Sequence, residues 1–225
     1  MDENLRTFLQ HHSNMKYSLF LKKLKQSIYT PIAQLNAFVH KSTEPLCFED
    51  MKNERFDNIK IGDSWGGFFD CAWFKFTADI ENMQKNLVAV IDVGGEGCIY
   101  NKDGEVIQGI TNVLGMVDNF QTVKGKAVIP LDRIDTFKDG KVLFYADCGN
   151  NGRGGKSSGQ ARFKRADICV FRQDILDLYY DILACYQLLS AVNDNAQKRE
   201  IKAHINKAIS LAHNTDSQSV LNARN

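Results

Sequence analysis

The sequence lacks closely spaced cysteines, and with them the usual signature of a zinc or dithiol site. At least 16 positions separate successive cysteines, so no C-x-x-C pair occurs. No cysteine has a histidine nearby in the sequence, which removes the simplest pattern of an activated thiolate. We therefore expect ordinary reduced thiols. The six cysteines are at positions 47, 71, 98, 148, 169 and 185.

The sequence also has no excess of positive or negative charge, and it has no long apolar run. The chain carries 28 basic and 27 acidic side chains, so no net field attracts nucleic acid or an anionic membrane. No apolar run reaches the roughly 18 residues of a membrane span. The first residues, MDENLRTFLQHHSN, lack the apolar core of a targeting leader. These features predict a soluble, cytoplasmic protein that binds neither nucleic acid nor membranes.

Motifs of known catalytic centres are absent from the sequence. It contains no H-x-D, no H-E-x-x-H and no G-x-S-x-G. We therefore predict no catalytic residue and no metal ligand in this chain. Asp92, Glu96 and Asp103 lie close together in the sequence, so a carboxylate pair for acid–base chemistry remains an alternative.

One glycine-rich segment, CGNNGRGGKSSG at 148–159, superficially resembles a phosphate-binding loop. That motif needs a glycine where this chain has Asn150, and it needs a helix after the loop, whereas ADICVF reads as a strand. We interpret the segment as a surface loop. Asn150, Asn151 and Arg153 are then available to hydrogen-bond a partner domain or a sugar hydroxyl.

The middle of the chain has the two-residue periodicity of β-strands. From Cys71 to Ile80 apolar residues alternate with the other side chains, and Asp103-Gly104 predicts a tight hairpin turn between two short strands. About eight short strands with no helix between them predict an antiparallel β-sandwich or jelly roll of galactose-binding-like type, with flanking helices at both ends. The further predicted strands are NLVAVIDV, NFQTV, KAVIPL, KVLFYADC and ADICVF.

Both ends of the chain have helical periodicity. Apolar residues recur at three- and four-residue steps from Met15 to Tyr29, and again after Arg172, where two amphipathic stretches predict a helical hairpin. The final segment, TDSQSVLNARN, reads as too polar to bury. We expect three regions: a helical lead and connector at 1–60, the sandwich at 61–172 and the hairpin at 173–225.

An aromatic stretch, GDSWGGFFDCAWFKF at 62–76, contains both tryptophans of the chain. The alternation predicts that Phe74 and Phe76 lie in the core and that Trp73 lies on the opposite face of the strand. Trp65 precedes Gly66-Gly67 and is the better candidate for an exposed or interface ring. We expect both tryptophans to lie in a core or domain interface rather than in a sugar platform, and the apolar patch to promote self-association of this chain.

Five segments in order resemble the N-terminal region of the class II α-mannosidases of cytosolic and vacuolar type, glycoside hydrolase family thirty-eight. The similarity spans about residues 60 to 190. The segments are WG, CAWFKF, DVGGEGCIYNKDGEVIQGIT, YADCGNNGRGGKSSG and ADICVFRQDILDLYYDILACYQLL.

The resemblance implies an accessory sandwich followed by helices that lead into a catalytic α/β barrel. In the family, that barrel holds zinc partly through an H-x-D motif, and it carries an aspartate nucleophile that removes terminal α-mannosyl residues with retention. Neither feature transfers to a residue of this chain, which we expect to end before the barrel and to be inactive alone. The resemblance thus implies the barrel of the same polypeptide as partner, mannosides as possible ligands, and zinc only in the barrel.

Loops that match the family supply the remaining site candidates, because Gly94 to Gly97 match its Gly-Glu-Gly turn and Asn151-Gly152 its Asn-Gly loop. The binding or domain-interface candidates are Trp65, Trp73, Glu96, Tyr100, Asn150, Asn151 and Arg153. Two alternatives remain: a stand-alone carbohydrate-binding module, and the sandwich of β-galactosidase-like enzymes. The helices after Arg172 argue against the second, since those enzymes usually continue into another β domain.

Overall fold

A computed structural model describes residues 3–81, 84–111, 127–134, 137, 139–151 and 159–225, with side chains described from residue 15 onward. The helices are α1 Glu3–Ser27, α2 Phe48–Met51, α3 Gln173–Ala191, α4 Asn195–Leu211 and α5 Ser217–Arg224. The strands are β1 Tyr29–Gln34, β2 Asn36–Ser42, β3 Asp57–Asn58, β4 Ser64–Gly66, β5 Cys71–Asp79, β6 Leu87–Asp92, β7 Glu96–Tyr100, β8 Val106–Thr111, β9 Val128–Pro130, β10 Lys141–Gly149, β11 Ala161–Arg162 and β12 Arg165–Phe171.

The chain forms two compact units. One is Pro31–Val170, and the other combines Met1–Thr30 with Phe171–Asn225. In the first unit the strands form a six-stranded sheet of order β3-β2-β5-β10-β7-β8, a four-stranded sheet of order β1-β12-β6-β9 and a short pair β11-β4. Strand pairs whose register is established are antiparallel. The predicted antiparallel β-sandwich is confirmed.

The core of the sandwich is built on the alternation of β5. Phe74 and Phe76 are fully buried and point inward, where Phe76 stacks on Phe144 of β10 at 5.1 Å between ring centroids. Residues from both larger sheets join them in one cluster, including Ile91 of β6 and Ile168 of β12. Each buried aromatic ring removes a large apolar area from water, so this cluster is the main source of stability of the unit.

The sandwich begins earlier than the predicted boundary at residue 61. Strands β1, β2 and β3 lie within the segment expected to be helical lead and connector, and β2 pairs along β5 in the middle of the six-stranded sheet. Ala37 and Val39 supply the reason, because their side chains enter the core at 5% and 3% exposure. The predicted boundary at 61 is therefore wrong.

The helical unit packs around α3. Tyr17 of α1 makes an edge-to-face contact with Tyr186 of α3 at 5.8 Å, which orients the two helices. The predicted stripe on α3 is confirmed by the burial of Ile175, Leu178, Tyr179 and Ile182. The N-terminal helix ends at Ser27 rather than Tyr29, because Tyr29 begins β1.

The polar C-terminal segment forms a third helix after α3 and α4, so the expectation that it does not bury is wrong. Asp216 caps α5 by accepting a hydrogen bond from the backbone N–H of Ser219 at 2.9 Å, and Val220 is fully buried. A buried valine, a good cap and the ion pairs of Arg224 with Asp177 and Asp181 thus hold a segment with little overall hydrophobicity. The predicted strand NFQTV at 119–123 lies outside the described residues.

Truncating the β5 core should destabilise the sandwich specifically. We expect Phe76→Ala to lower the free energy of unfolding by about 3–5 kcal/mol, because it opens a cavity beside Phe144. Urea unfolding followed by tryptophan fluorescence reports on this unit, since both tryptophans belong to it. Val106→Ala, at a 60% exposed position, is the control and should cost less than about 1 kcal/mol. Equal losses in the two variants would contradict this account of the core.

Candidate functional site

A hollow of about 520 Å³ opens on the outer face of the six-stranded sheet. Residues of β5, β7 and β10 that point away from the core meet there: Asp147 lies opposite Trp73 on one side and Cys98 on the other. In the next outward-facing row, Gly149 lies between Cys71 and Glu96. The lining comprises Pro45, Cys71, Glu96, Gly97, Cys98, Gly109, Ile110, Thr111, Asp147, Cys148, Gly149 and Asn151.

Two glycines explain why the sheet surface is hollow at this point. Gly149 and Gly109 occupy outward positions of β10 and β8, where other residues would fill the space with a side chain. A Cβ at Gly109 would lie 3.8 Å from the Gly97 carbonyl oxygen, an ordinary van der Waals contact, so a side chain could be accommodated there. The sheet backbone therefore forms part of the floor of the hollow.

Carboxylates provide the polar character of the hollow. Glu96 accepts a hydrogen bond from the Thr111 hydroxyl at 3.0 Å. Asp147 is half-buried, and this burial raises the pKa of its carboxyl. Burial, and then the nearby charge of Asp147, raise the pKa of the Cys71 thiol. Within the described part of the chain, no side chain donates a hydrogen bond to the Asp147 carboxylate or forms an ion pair with it.

An aromatic cluster covers part of the outward face of the six-stranded sheet, beside the hollow. Tyr100 of β7 contacts the ring of Trp73 at 5.1 Å and stacks on Phe48 of α2 at 5.8 Å. The Trp73 indole N–H donates to the carbonyl of Leu46 at 3.0 Å, and the residue is 2% exposed. Trp73 is on the face predicted for it, but the chain itself covers its ring.

Trp65 lies in the core, so the exposed position considered for it is excluded and the expectation of core or interface packing fits. Trp65 is 2% exposed, packs edge-to-face on Phe74 at 5.6 Å and donates its indole N–H to the carbonyl of Val93 at 2.6 Å. A buried acceptor for the only polar atom of the ring makes this burial favourable. Neither tryptophan is available as an apolar patch, so the reasoning that predicted self-association through them no longer applies.

Asn150 is a structural residue, contrary to the expectation that it faces a ligand or partner. Its side chain is 1% exposed and its amide donates to the carbonyls of Gly67 at 2.8 Å and Gly159 at 3.0 Å. Asn151 is exposed and lines the hollow. Arg153 lies outside the described residues.

The structure thus brings Glu96 and Asn151 to the hollow, and it places Tyr100 and Trp73 in the cluster beside it. The aspartates of the alternative acid–base set have local partners: Asp92 accepts from the Gly94 amide at 3.0 Å, whereas Asp103 pairs with Lys102. These partners assign the two aspartates to turns. Sequence reasoning missed Asp147, although its outward position follows from alternation along KVLFYADC.

A pair of adjacent phenylalanines, half-buried Phe68 and exposed Phe69, was also missed just before Cys71 of the hollow. Phe69 is 63% exposed and has a positive φ of 68°, and its ring centroid lies 4.0 Å from that of Phe68. We call Phe68 and Phe69 the aromatic knuckle. The available signal was the position of two apolar residues directly after Gly66-Gly67.

The zinc that the resemblance implies does not fit the residues present. Over the described ranges, no group of three or more histidine, cysteine, aspartate or glutamate side chains gathers closely enough to hold a metal ion. Among the same residues, no helix has the length and hydropathy to cross a membrane. All six cysteines are free thiols.

Comparison with known proteins gives one family. The model described as Ams1-like alpha-mannosidase, jelly roll domain, matches residues 30–169. The search of curated proteins returned no match. The matched residues correspond closely to the compact unit Pro31–Val170.

Close packing, rather than a ligand, explains the first glycine of the turn at 94–97. A Cβ at Gly94 would overlap the Arg162 carbonyl oxygen and lie 2.9 Å from its amide nitrogen. Gly62 also has a positive φ, but its surroundings are open.

We expect Gly62→Ala to cost roughly 1–2 kcal/mol of stability from backbone strain alone. Gly94→Ala should cost about 1–3 kcal/mol more from the overlap, as measured by urea unfolding. Equal losses would show that Arg162 does not constrain this turn.

Asp147→Asn should stabilise the sandwich at neutral pH. Because burial raises the carboxyl pKa in the folded state, the folded protein loses stability as pH rises through the interval between the unfolded and folded pKa values. The advantage of the asparagine variant should therefore be present at pH 7 and fade below the ordinary pKa range of aspartate. Unfolding midpoints measured across pH test this. Asp57→Asn, at a 73% exposed side chain, reports the effect of losing a surface charge. A stability loss at pH 7 confined to Asp147→Asn would contradict the prediction.

Proposed function

The chain belongs to the family of alpha-mannosidase jelly roll domains, and from this premise we propose that it is the non-catalytic N-terminal domain of a glycoside hydrolase that removes terminal α-mannosyl residues. The observation that carries the proposal is the agreement between the match at 30–169 and the compact unit Pro31–Val170. A family match that coincides with one hydrophobic core identifies a whole folding unit rather than a shared motif.

The proposed role is to pack on the catalytic α/β barrel of the same polypeptide and to stabilise the rim of its active site. A rigid domain can support catalysis by positioning, because small displacements of catalytic groups cost large factors in rate. The barrel would hold the zinc and the nucleophile. The absence of H-x-D from this sequence supports that division of labour. As part of the proposal we place the protein in the cytoplasm, which the six free thiols support.

The stand-alone carbohydrate-binding alternative is weaker. Sugar-binding surfaces commonly offer an exposed ring face together with hydrogen-bonding groups. Trp65 and Trp73 were the two candidate rings, and both are 2% exposed. No aromatic ring lines the hollow among the described residues, and the exposed ring of Phe69 lies outside that lining. We therefore keep the accessory-domain role as the proposed function.

The proposal is tested by activity with and without this domain. We expect the 225-residue chain alone to release no 4-nitrophenol from 4-nitrophenyl α-mannoside, with or without added zinc. The polypeptide that contains this chain and the barrel should be active, and deleting residues 31–170 from it should reduce kcat/KM or thermal stability, because the barrel loses its support. Zinc-dependent turnover by the chain alone would overturn the non-catalytic role. Unchanged activity and stability after the deletion would overturn the supporting role.

A further inference from the structure

The aromatic knuckle combines two features that are each unfavourable in an isolated domain. Phe69 exposes 63% of a large apolar side chain to water. Its φ of 68° lies in the left-handed region, where a non-glycine residue is strained. Neither feature improves the packing of the sandwich, so a role outside the core is the natural explanation.

The loop that carries the knuckle is held rigidly in this conformation. The Gly67 amide donates to the Asp70 carboxylate at 2.7 Å, and the Phe69 amide donates to the carbonyl of Asn150 at 2.9 Å. The backbone amide of Asn150 donates to the carbonyl of Asp70 at 3.0 Å. The buried side-chain amide of Asn150 donates to the carbonyl of Gly67 at 2.8 Å. A loop fixed before binding loses little entropy when a partner arrives.

The knuckle lies next to the hollow along the chain. Cys71 follows the loop directly at the start of β5 and lines the hollow, and Asn151 follows Asn150 into it. We call the knuckle and the hollow together the docking surface. It therefore joins an exposed apolar projection to a concavity with the carboxylates of Asp147 and Glu96.

Charge limits what the docking surface can receive. Among the described residues that line the hollow, two side chains are acidic and none is a lysine, arginine or histidine. Asp147 is desolvated, and within the described residues its carboxylate meets no cation. A basic side chain entering the hollow would supply the missing counter-charge, whereas a phosphate or an anionic lipid headgroup would be repelled.

We propose that the docking surface binds the catalytic domain of the same polypeptide, which offers an apolar pocket for Phe69 and a lysine or arginine for the hollow. This inference rests on the proposed function and specifies the contact that it requires. The catalytic domain is the occupant that family membership supplies. The rigid loop, the exposed ring and the acidic hollow define the chemistry of its matching face.

Hydroxyl-radical footprinting tests the inference by measuring the oxidation rates of individual side chains. The polypeptide that contains both domains is compared with the 225-residue chain. We expect Phe68 and Phe69 to be oxidised several-fold more slowly in the two-domain protein. Ile32, 42% exposed on β1, is the internal control and should keep its rate. Equal rates at the knuckle in the two proteins would overturn the proposal.

A charge variant tests the hollow separately. In the two-domain protein, Asp147→Lys should restore fast oxidation of Phe69, because it places a cation against the incoming basic side chain. Asp57→Lys, at an exposed position of β3, is the matched control and should leave Phe69 protected. Continued protection of Phe69 in Asp147→Lys would remove the hollow from the contact and overturn the proposal as stated.

Other occupants give distinct results. Protection of Phe69 that appears in the 225-residue chain as its concentration rises would identify a second copy, and protection on adding mannose would identify a saccharide; either would overturn the proposal. Deletion of residues 31–170 tests the proposed function independently. If that deletion impairs the enzyme while the knuckle stays fully exposed, the supporting role stands and only this docking surface is rejected.

Discussion

The alternation of β5 is the constraint on which the rest of the sandwich depends. Its inward residues, Phe74 and Phe76, join the two larger sheets in one core, so its outward residues, Cys71 and Trp73, have fixed positions on the opposite face. Because side chains alternate with a period of two, a register shift of one residue would exchange the two sets. The core therefore determines where the hollow and the aromatic cluster lie.

Local signals predicted the local structure correctly. The alternation of β5, the Asp103-Gly104 hairpin and the apolar stripe of α3 each depend on neighbouring residues, and all three are confirmed. The early strands were missed because β2 carries polar residues beside its few apolar ones, and its partner β5 begins almost thirty residues later. Pairing at that distance is decided by tertiary packing rather than by propensity.

The candidate site was predictable only in part. Glu96 and Asn151 were named from loops and lie at the hollow, but Asp147 joins them through strand pairing that no single segment reveals. Exposure of Trp65 was considered because a neighbouring Gly-Gly pair indicates a loop, and that pair does not show that the indole N–H bonds the carbonyl of Val93 inside the fold. Exposure of an aromatic ring depends on such partners, which sequence patterns do not report.

A sandwich with a well-packed core, engaged turn carboxylates and a rigid exposed knuckle is suited to supporting another domain. The size and activity of the native protein test this central claim most directly. An antibody raised against the 225-residue chain would be used to capture the polypeptide from cells. The account predicts a product far larger than 25.4 kDa that hydrolyses 4-nitrophenyl α-mannoside. A product of 25.4 kDa alone, without that activity, would contradict it.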